Sequence, residues 1–247
     1  MDIRNPPNNQ LSLKIFLISL SLLPLLLMSG EFDDTDRLIQ AATAASTDKS
    51  NTEDRCISYN SVEKTITIRC GTNNRLTDIH NTIQDRNVID RLSDGLWLLN
   101  AGIIERGATL LMDPQDTKWL KIIADGTNAY PITVLGSLKI DSVKVTSWNP
   151  LTNGYAISKG NRELNDALGK YEVTEGFPRP YIRIEEDTSG NANITNSEIA
   201  YLGYEAGLGE GKTGLIYLGG DNSIIRNNDI HDLYFAFYSK EVGGIDY

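Results

Sequence analysis

The sequence predicts an all-β protein, a right-handed parallel β-helix capped at its N-terminal end by a short helix and a Cys-linked hairpin. Three observations predict it. After Asp94-Gly95 the chain runs as short β-rich segments separated by Gly, Asn, Asp or Pro. No helical period of useful length interrupts them, which argues against an α/β fold with crossover helices. Finally, Ala192-Asn193-Ile194-Thr195-Asn196-Ser197-Glu198-Ile199 recurs as Ser223-Ile224-Ile225-Arg226-Asn227-Asn228-Asp229-Ile230, with Asp141-Ser142-Val143-Lys144-Val145 as a poorer third copy. Each copy reads as a strand, an Asn or Ser turn, an acid and another strand. In a parallel β-helix every coil repeats such a unit. Its turn amides bond between coils and its apolar face is buried on the neighbouring coils. The competing arrangement is an antiparallel sandwich with coincidental Asn turns. The match in residue type and order, beyond hydropathy, favours the solenoid.

The elements follow in chain order. Arg4 and Lys14 precede an apolar run from Ile15 to Met28 that ends at Ser29-Gly30. Residues 1–30 therefore read as a cleaved secretory signal or as a retained anchor with membrane contact through residues 11–30. Both readings place the rest of the chain outside the cytoplasm, secreted or at the cell surface. Residues 31–55 hold seven acids against three bases and read as a solvated acidic linker. An N-terminal cap is expected over 56–94. Within it Lys64-Thr65-Ile66-Thr67-Ile68-Arg69 alternates polar and apolar residues, as a half-buried strand does. A hairpin here brings Cys56 and Cys70 side by side. In an oxidising compartment they are expected to form a disulfide contributing about 3 kcal/mol. Leu76, Ile79 and Ile83 give the following segment one apolar helical face. His80 on that segment reads as a surface or capping residue rather than a ligand.

From 95 to 247 the coils are expected, with strands at Leu96–Leu99, Ala108–Leu111, Trp119–Ile123, Ile132–Leu135, Leu138–Ile140, Val143–Val145, Tyr181–Ile184 and Leu233–Tyr238. A polar insertion over 149–178 breaks the rhythm. It reads equally as a wall beside a groove or as a loose surface loop. Ala206-Gly207-Leu208-Gly209-Glu210-Gly211-Lys212-Thr213 resembles a relaxed phosphate loop, but a strand and not a helix follows it, so nucleotide binding is not expected. The Asn193-Ile194-Thr195 sequon sits at a coil position that favours ladder bonding over glycosylation. The C-terminal end reads as incomplete, with an open strand edge that favours self-association.

Composition removes several classes of function. With 33 acidic and 23 basic residues the net charge is −10, a poor match to nucleic acid. Two Cys and two His exclude a Cys/His zinc cluster, and neither a metal nor a cofactor is assigned. What remains is an aromatic and ionisable cluster: Tyr201, Tyr204, Tyr234, Phe235, Phe237 and Tyr238 with Arg183, Arg226, His231, Asp232 and Lys240. Aromatic rings stack on sugars and charged groups bond their hydroxyls and carboxylates. Strand alternation turns about half of such residues inward. Arg183, Tyr204, Arg226, His231 and Tyr238 are the candidate substrate-binding residues.

Several runs carry a resemblance: Trp97-Leu98-Leu99-Asn100-Ala101, Trp119-Leu120-Lys121, Arg179-Pro180-Tyr181-Ile182, Asn196-Ser197-Glu198-Ile199-Ala200-Tyr201-Leu202-Gly203-Tyr204 and His231-Asp232-Leu233-Tyr234-Phe235-Ala236-Phe237-Tyr238-Ser239. Over roughly residues 88–245 the chain resembles the mannuronan C5-epimerase family of secreted right-handed β-helix proteins. The resemblance implies an acidic polysaccharide as partner. It also implies a mechanism in which a cation neutralises the uronate carboxylate, a base removes the C5 proton and an acid returns one from the other face. In that family the acid/base histidine lies in an Asp-Pro-His motif on a later coil. The sequence lacks this motif, so no catalytic residue is carried over. The alternative is a non-catalytic cell-surface carbohydrate-binding or structural β-helix. The acidic composition further requires a locally basic groove or a bridging cation.

Overall fold

Alternating apolar residues wind into three sheets around one interior, and the fold is a right-handed parallel β-helix. The computed structural model describes residues 55–206, 212–235, 237–240 and 243–244, all within the compact unit Asp48–Tyr247. The expected leader or anchor (1–30), the acidic linker apart from Arg55, the centre of the Gly-rich segment and the chain end from Ile245 lie outside the described residues.

The N-terminal cap comes first. β1 (Ile57–Asn60) and β2 (Thr65–Ile68) pair antiparallel. Cys56 and Cys70 form the disulfide with Cα atoms 5.0 Å apart. Helix α1 (Leu76–Ile83) buries Leu76 and Ile79, and the Arg75 amide donates to Asp78 at its first turn. His80 is half-buried, packs edge-on to Trp97 at 5.7 Å, and its carbonyl accepts the Gln84 amide that ends the helix. β3 (Ile89–Ser93) pairs antiparallel with β4 (Leu96–Leu99). Two sheets thus begin with an antiparallel strand, and the helix contacts both β1 and β3.

The coils follow. The first is β5 (Gly102–Glu105), β6 (Thr109–Met112) and β7 (Trp119–Ile123); the next is β8 (Ile132–Val134), β9 (Ser137–Asp141) and β10 (Lys144–Trp148). A hairpin of β11 (Asn161–Asn165) and β12 (Lys170–Thr174) intervenes. Then come β13 (Ile182–Ile184), β14 (Ala192–Thr195) and β15 (Glu198–Ala200). β16 (Leu215–Tyr217), β17 (Ile225–Arg226) and β18 (Asp229–His231) form the next coil, and β19 (Tyr238–Ser239) begins another. Sheet I runs β1-β2-β5-β8-β13-β16-β19, sheet II β6-β9-β14-β17 and sheet III β3-β4-β7-β10-β15-β18. Like residues stack inside: Ile66, Ile103, Ile132, Ile182 and Leu215 form one column of sheet I. Met112, Ile140, Ile194 and Ile225 form one in sheet II.

The repeat seen in sequence is the corner between sheets II and III. Ser142, Asn196 and Asn227 occupy it with φ of 56°, 51° and 57°. Left-handed backbone is tolerated best by Gly and Asn among residue types. The Asn227 Nδ2 donates to Asn196 Oδ1 at 3.4 Å, and Asn196 Nδ2 to Asp141 Oδ1 at 2.8 Å. One residue on, the Ser197 amide donates to Asn228 Oδ1 at 2.9 Å, and the Val143 amide to Ser197 Oγ at 3.1 Å. The sequon residue Asn193 likewise accepts from the Ile224 amide at 2.9 Å.

Two expectations change. Leu233–Tyr238 is not one strand: among the described residues pairing begins at Tyr238, because Leu233 turns into the interior and the Tyr234 hydroxyl donates to Glu205. The insertion is not a loose loop throughout: β11 and β12 form an exposed hairpin, and Lys159–Arg162 and Tyr171 line a concavity with Tyr234 and Phe235. Arg162 on β11 ties it to the buried Glu205 through bonds of 3.0 and 2.7 Å.

Candidate functional site

The outward face of sheet I is built by simple alternation. On β13 Ile182 and Ile184 point inward, so Tyr181 and Arg183 point outward. Register places Thr67, Ile104, Thr133, Arg183, Ile216 and Tyr238 in one outward column. Two concavities adjoin on this face and share Glu63 and Thr65. The first, about 510 Å³, is lined by Ser58, Thr67, Arg69 and Arg106 among others. The second, about 310 Å³, lies where sheet III hands over to sheet I and includes Lys64, Tyr130, Tyr181, Tyr204 and Lys212.

Each of these side chains has a local cause. Lys64 ends the hairpin turn at φ 49° and its ammonium donates to the Tyr130 hydroxyl at 3.1 Å. That bond, and the nearby phenol, hold the Lys64 ammonium above its usual pKa, so it stays charged. Tyr204 and Lys212 exchange backbone bonds of 2.8 and 3.1 Å, which seats the Lys212 ammonium 5.6 Å from the centre of the Tyr181 ring. Burial pushes the phenols of Tyr181 and Tyr204 up, so both are neutral hydrogen-bond donors at neutral pH. Arg183 bonds Glu185 at 2.9 Å.

Behind the rim, two buried charges hold the connecting segments in place. Arg179 is fully buried and donates to the carbonyls of Gly203, Ala156, Leu202 and Asp232. Burial lowers its pKa to about 10, so the guanidinium remains charged. Glu205 is equally buried and accepts from Arg162 and Tyr234. Burial first, then the bond to Glu205, pushes the Tyr234 phenol up to about 12. Gly203 between these anchors takes φ 73°, and a Cβ there would strike the backbone of residues 212–214.

Of the five residues singled out in the sequence, the fold brings Arg183 and Tyr238 into one column, with Tyr204 at its rim. Arg226 is outward on sheet II and His231 outward on sheet III, on other faces. Lys64, Tyr130, Tyr181 and Lys212 were not anticipated. The signal for Tyr181 was present, because it stands two residues before Arg183 in an alternating strand. The others converge from separate coils. The two concavities are lined by Lys64, Arg69, Arg106 and Lys212 against Glu63, on a chain of net charge −10. Arg183 is paired with Glu185, and the carboxylates of Asp125 and Glu175 act on Lys64 and Tyr204 from nearby. Among the described residues no group of His, Cys, Asp and Glu forms a metal-ion cluster, and no helix is long and apolar enough to cross a membrane.

No family model matches the chain, and no curated protein matches it. Solved structures do. The periplasmic alginate epimerase AlgG superposes with a TM-score of 0.52 at 17% identity, covering 72% of this chain and 39% of that one. A double mutant of AlgG gives 0.52 at 17% identity, with 72% and 40% covered. The chain thus spans about two fifths of the length of these structures. At this identity the likeness shows a shared β-helix fold.

Proposed function

We propose that the chain is an exported β-helix protein that binds an acidic polysaccharide lengthwise on the outward face of sheet I. The observation that carries this reading is the basic, tyrosine-lined track from Arg69 and Lys64 to Lys212 and Arg183 on an otherwise acidic molecule. A local excess of cations concentrates a polyanion that the net charge repels. Neutral phenols supply donors for sugar hydroxyls, and the tyrosine rings supply stacking faces. The fold shared with a periplasmic alginate epimerase supports both export and a uronate polymer. In this reading residues 1–30 are leader or anchor, 31–55 a linker, 56–94 the cap and 95–247 the coils with the insertion 149–178. Arg183, Tyr204 and Tyr238 contact the polymer, together with Lys64, Tyr181 and Lys212. No catalytic residue is assigned, because the sequence contains no Asp-Pro-His motif.

Calorimetric titration with polymannuronate tests this. Saturable binding is expected, weakened about tenfold or more in the Lys64→Ala/Lys212→Ala variant, a loss of about 1.4 kcal/mol. Absence of binding to polymannuronate, or an unchanged affinity in the variant, overturns the reading. Following C5–H exchange with deuterated solvent separates a binder from an epimerase: exchange would add turnover to the binding role.

A further inference from the structure

Sheet III has an outward face of its own, and its rings serve no purpose in the track on sheet I. Trp119 and Lys121 stand on β7, Lys144, Thr146 and Trp148 on β10, Glu198 and Ala200 on β15, and Asp229 and His231 on β18, coil upon coil in register. Tyr155, from the start of the insertion, and Tyr201, from the end of β15, join them. The rings are continuous: Trp119 meets Trp148 at 5.8 Å, Trp148 meets Tyr155 at 6.0 Å, and Tyr155 lies parallel on Tyr201 at 4.2 Å. Tyr201 then meets the His231 ring at 5.6 Å. All four aromatic side chains are partly exposed.

Charges of both signs are threaded between the rings. The Lys121 ammonium sits 3.4 Å from the Trp148 ring centre, and that of Lys144 lies 5.0 Å from Trp119. Lys144 Nζ bonds Glu198 at 2.6 Å, His231 Nε2 approaches the same carboxylate at 3.4 Å, and His231 Nδ1 bonds Asp232 at 2.9 Å. Tyr201 and Asp232 hold φ of 58° and 53° at matching places on successive coils. A bulky ring in left-handed backbone is strained and persists where its surroundings over-determine it. Here that backbone lays Tyr201 flat on Tyr155.

We infer that this face is a second saccharide site, taking a neutral, hydroxyl-rich pyranose chain. Trp148 meets Trp119 and Tyr155 edge to face, Tyr155 and Tyr201 lie parallel, and the ring surface they leave exposed can stack on the apolar face of a pyranose. Interleaved ammonium, imidazole and carboxylate groups offer donors and acceptors to successive hydroxyls. The carboxylates of Glu198, Asp229 and Asp232 offset Lys121, Lys144 and His231, so this face lacks the positive excess that favours a uronate on sheet I. The inference goes beyond the acidic-polymer reading and does not depend on it.

Tryptophan emission tests it directly. Trp97 is fully buried with its indole N–H donated to the Asp116 carbonyl, whereas Trp119 and Trp148 both belong to this face. The full chain is titrated with cellohexaose and with mannohexaose, and with hexamannuronate for comparison. A saturable emission change with a neutral hexasaccharide is expected. Tyr201→Gly should weaken it about tenfold, the scale of one lost stacking contact. Glycine suits the left-handed backbone, so this variant keeps its fold, and polymannuronate titration by calorimetry should be unchanged. Three results overturn the inference: no emission change with either neutral sugar up to millimolar concentration, a Tyr201→Gly variant that binds as tightly as the parent, or a larger response to hexamannuronate than to both neutral sugars. The first two leave the sheet I reading untouched, and in every case the Lys64→Ala/Lys212→Ala variant tests that reading separately.

Discussion

Glu105 occupies an inward position of sheet I, stacked between Ile68 and Val134, in a column that continues through Ile184 and Tyr217. It is fully buried and accepts from the amides of Ala108 and Gly136, so its carboxylate closes the corner between sheets I and II. A Cβ on Gly136 would overlap that carboxylate, which explains the glycine. Burial pushes the Glu105 pKa up to about 7, against the pull of the amide donors. Its folded pKa thus exceeds its unfolded one. The stability linked to this group is full below about pH 4.5 and falls as pH rises to about 7, by about 3 kcal/mol at most. Urea unfolding at pH 5 and 7.5 checks this: the parent should lose stability across that interval, and Glu105→Gln should lose measurably less. Equal losses in the two proteins would remove Glu105 as the cause.

At the scale of elements, the corner between sheets II and III makes the coils repeat. Asn196→Ala should lower stability by about 1–2 kcal/mol, through strained left-handed backbone and lost amide bonds to Asp141 and Asn227. Asn196→Gly should fall between alanine and parent, since it relieves only the backbone part. Urea midpoints of the three proteins rank them, and an alanine variant as stable as the parent would show that the ladder contributes nothing. This corner was readable in the sequence because its chemistry is local: Asn196 and Asn227 lie 31 residues apart and do the same job. The Cys56–Cys70 hairpin was readable for the same reason. β5 was not, because an inward glutamate breaks the apolar alternation by which a strand is recognised. The site was the least accessible part. Lys64, Tyr130, Tyr181 and Lys212 meet only after the coils are laid in register. The insertion stretches the spacing between matching positions from 31 to 54 residues, so no fixed period aligns them.

For the whole molecule, electrostatics and layering divide the surface. Basic side chains gather on the outward face of sheet I, while sheet III mixes both signs. Raising the salt from about 0.01 M to about 0.1 M shortens the screening length from about 30 Å to about 10 Å. Polymannuronate binding on sheet I should weaken markedly over that range, while the tryptophan response to a neutral hexasaccharide should hold steady. Calorimetry and fluorescence at the two salt levels compare them, and an acidic-polymer affinity indifferent to salt would contradict a track built on charge. The tight Asn corner has one further consequence, for how such a chain can change over generations. Its single left-handed residue leaves no slack, so an extra residue there would throw every later coil out of step. Length variation is therefore channelled to the opposite flank, where the chain passes from sheet III to sheet I through the long segment 149–181 beside the cavity at Tyr181. New recognition loops can be grafted on that side while the stack beneath is inherited intact.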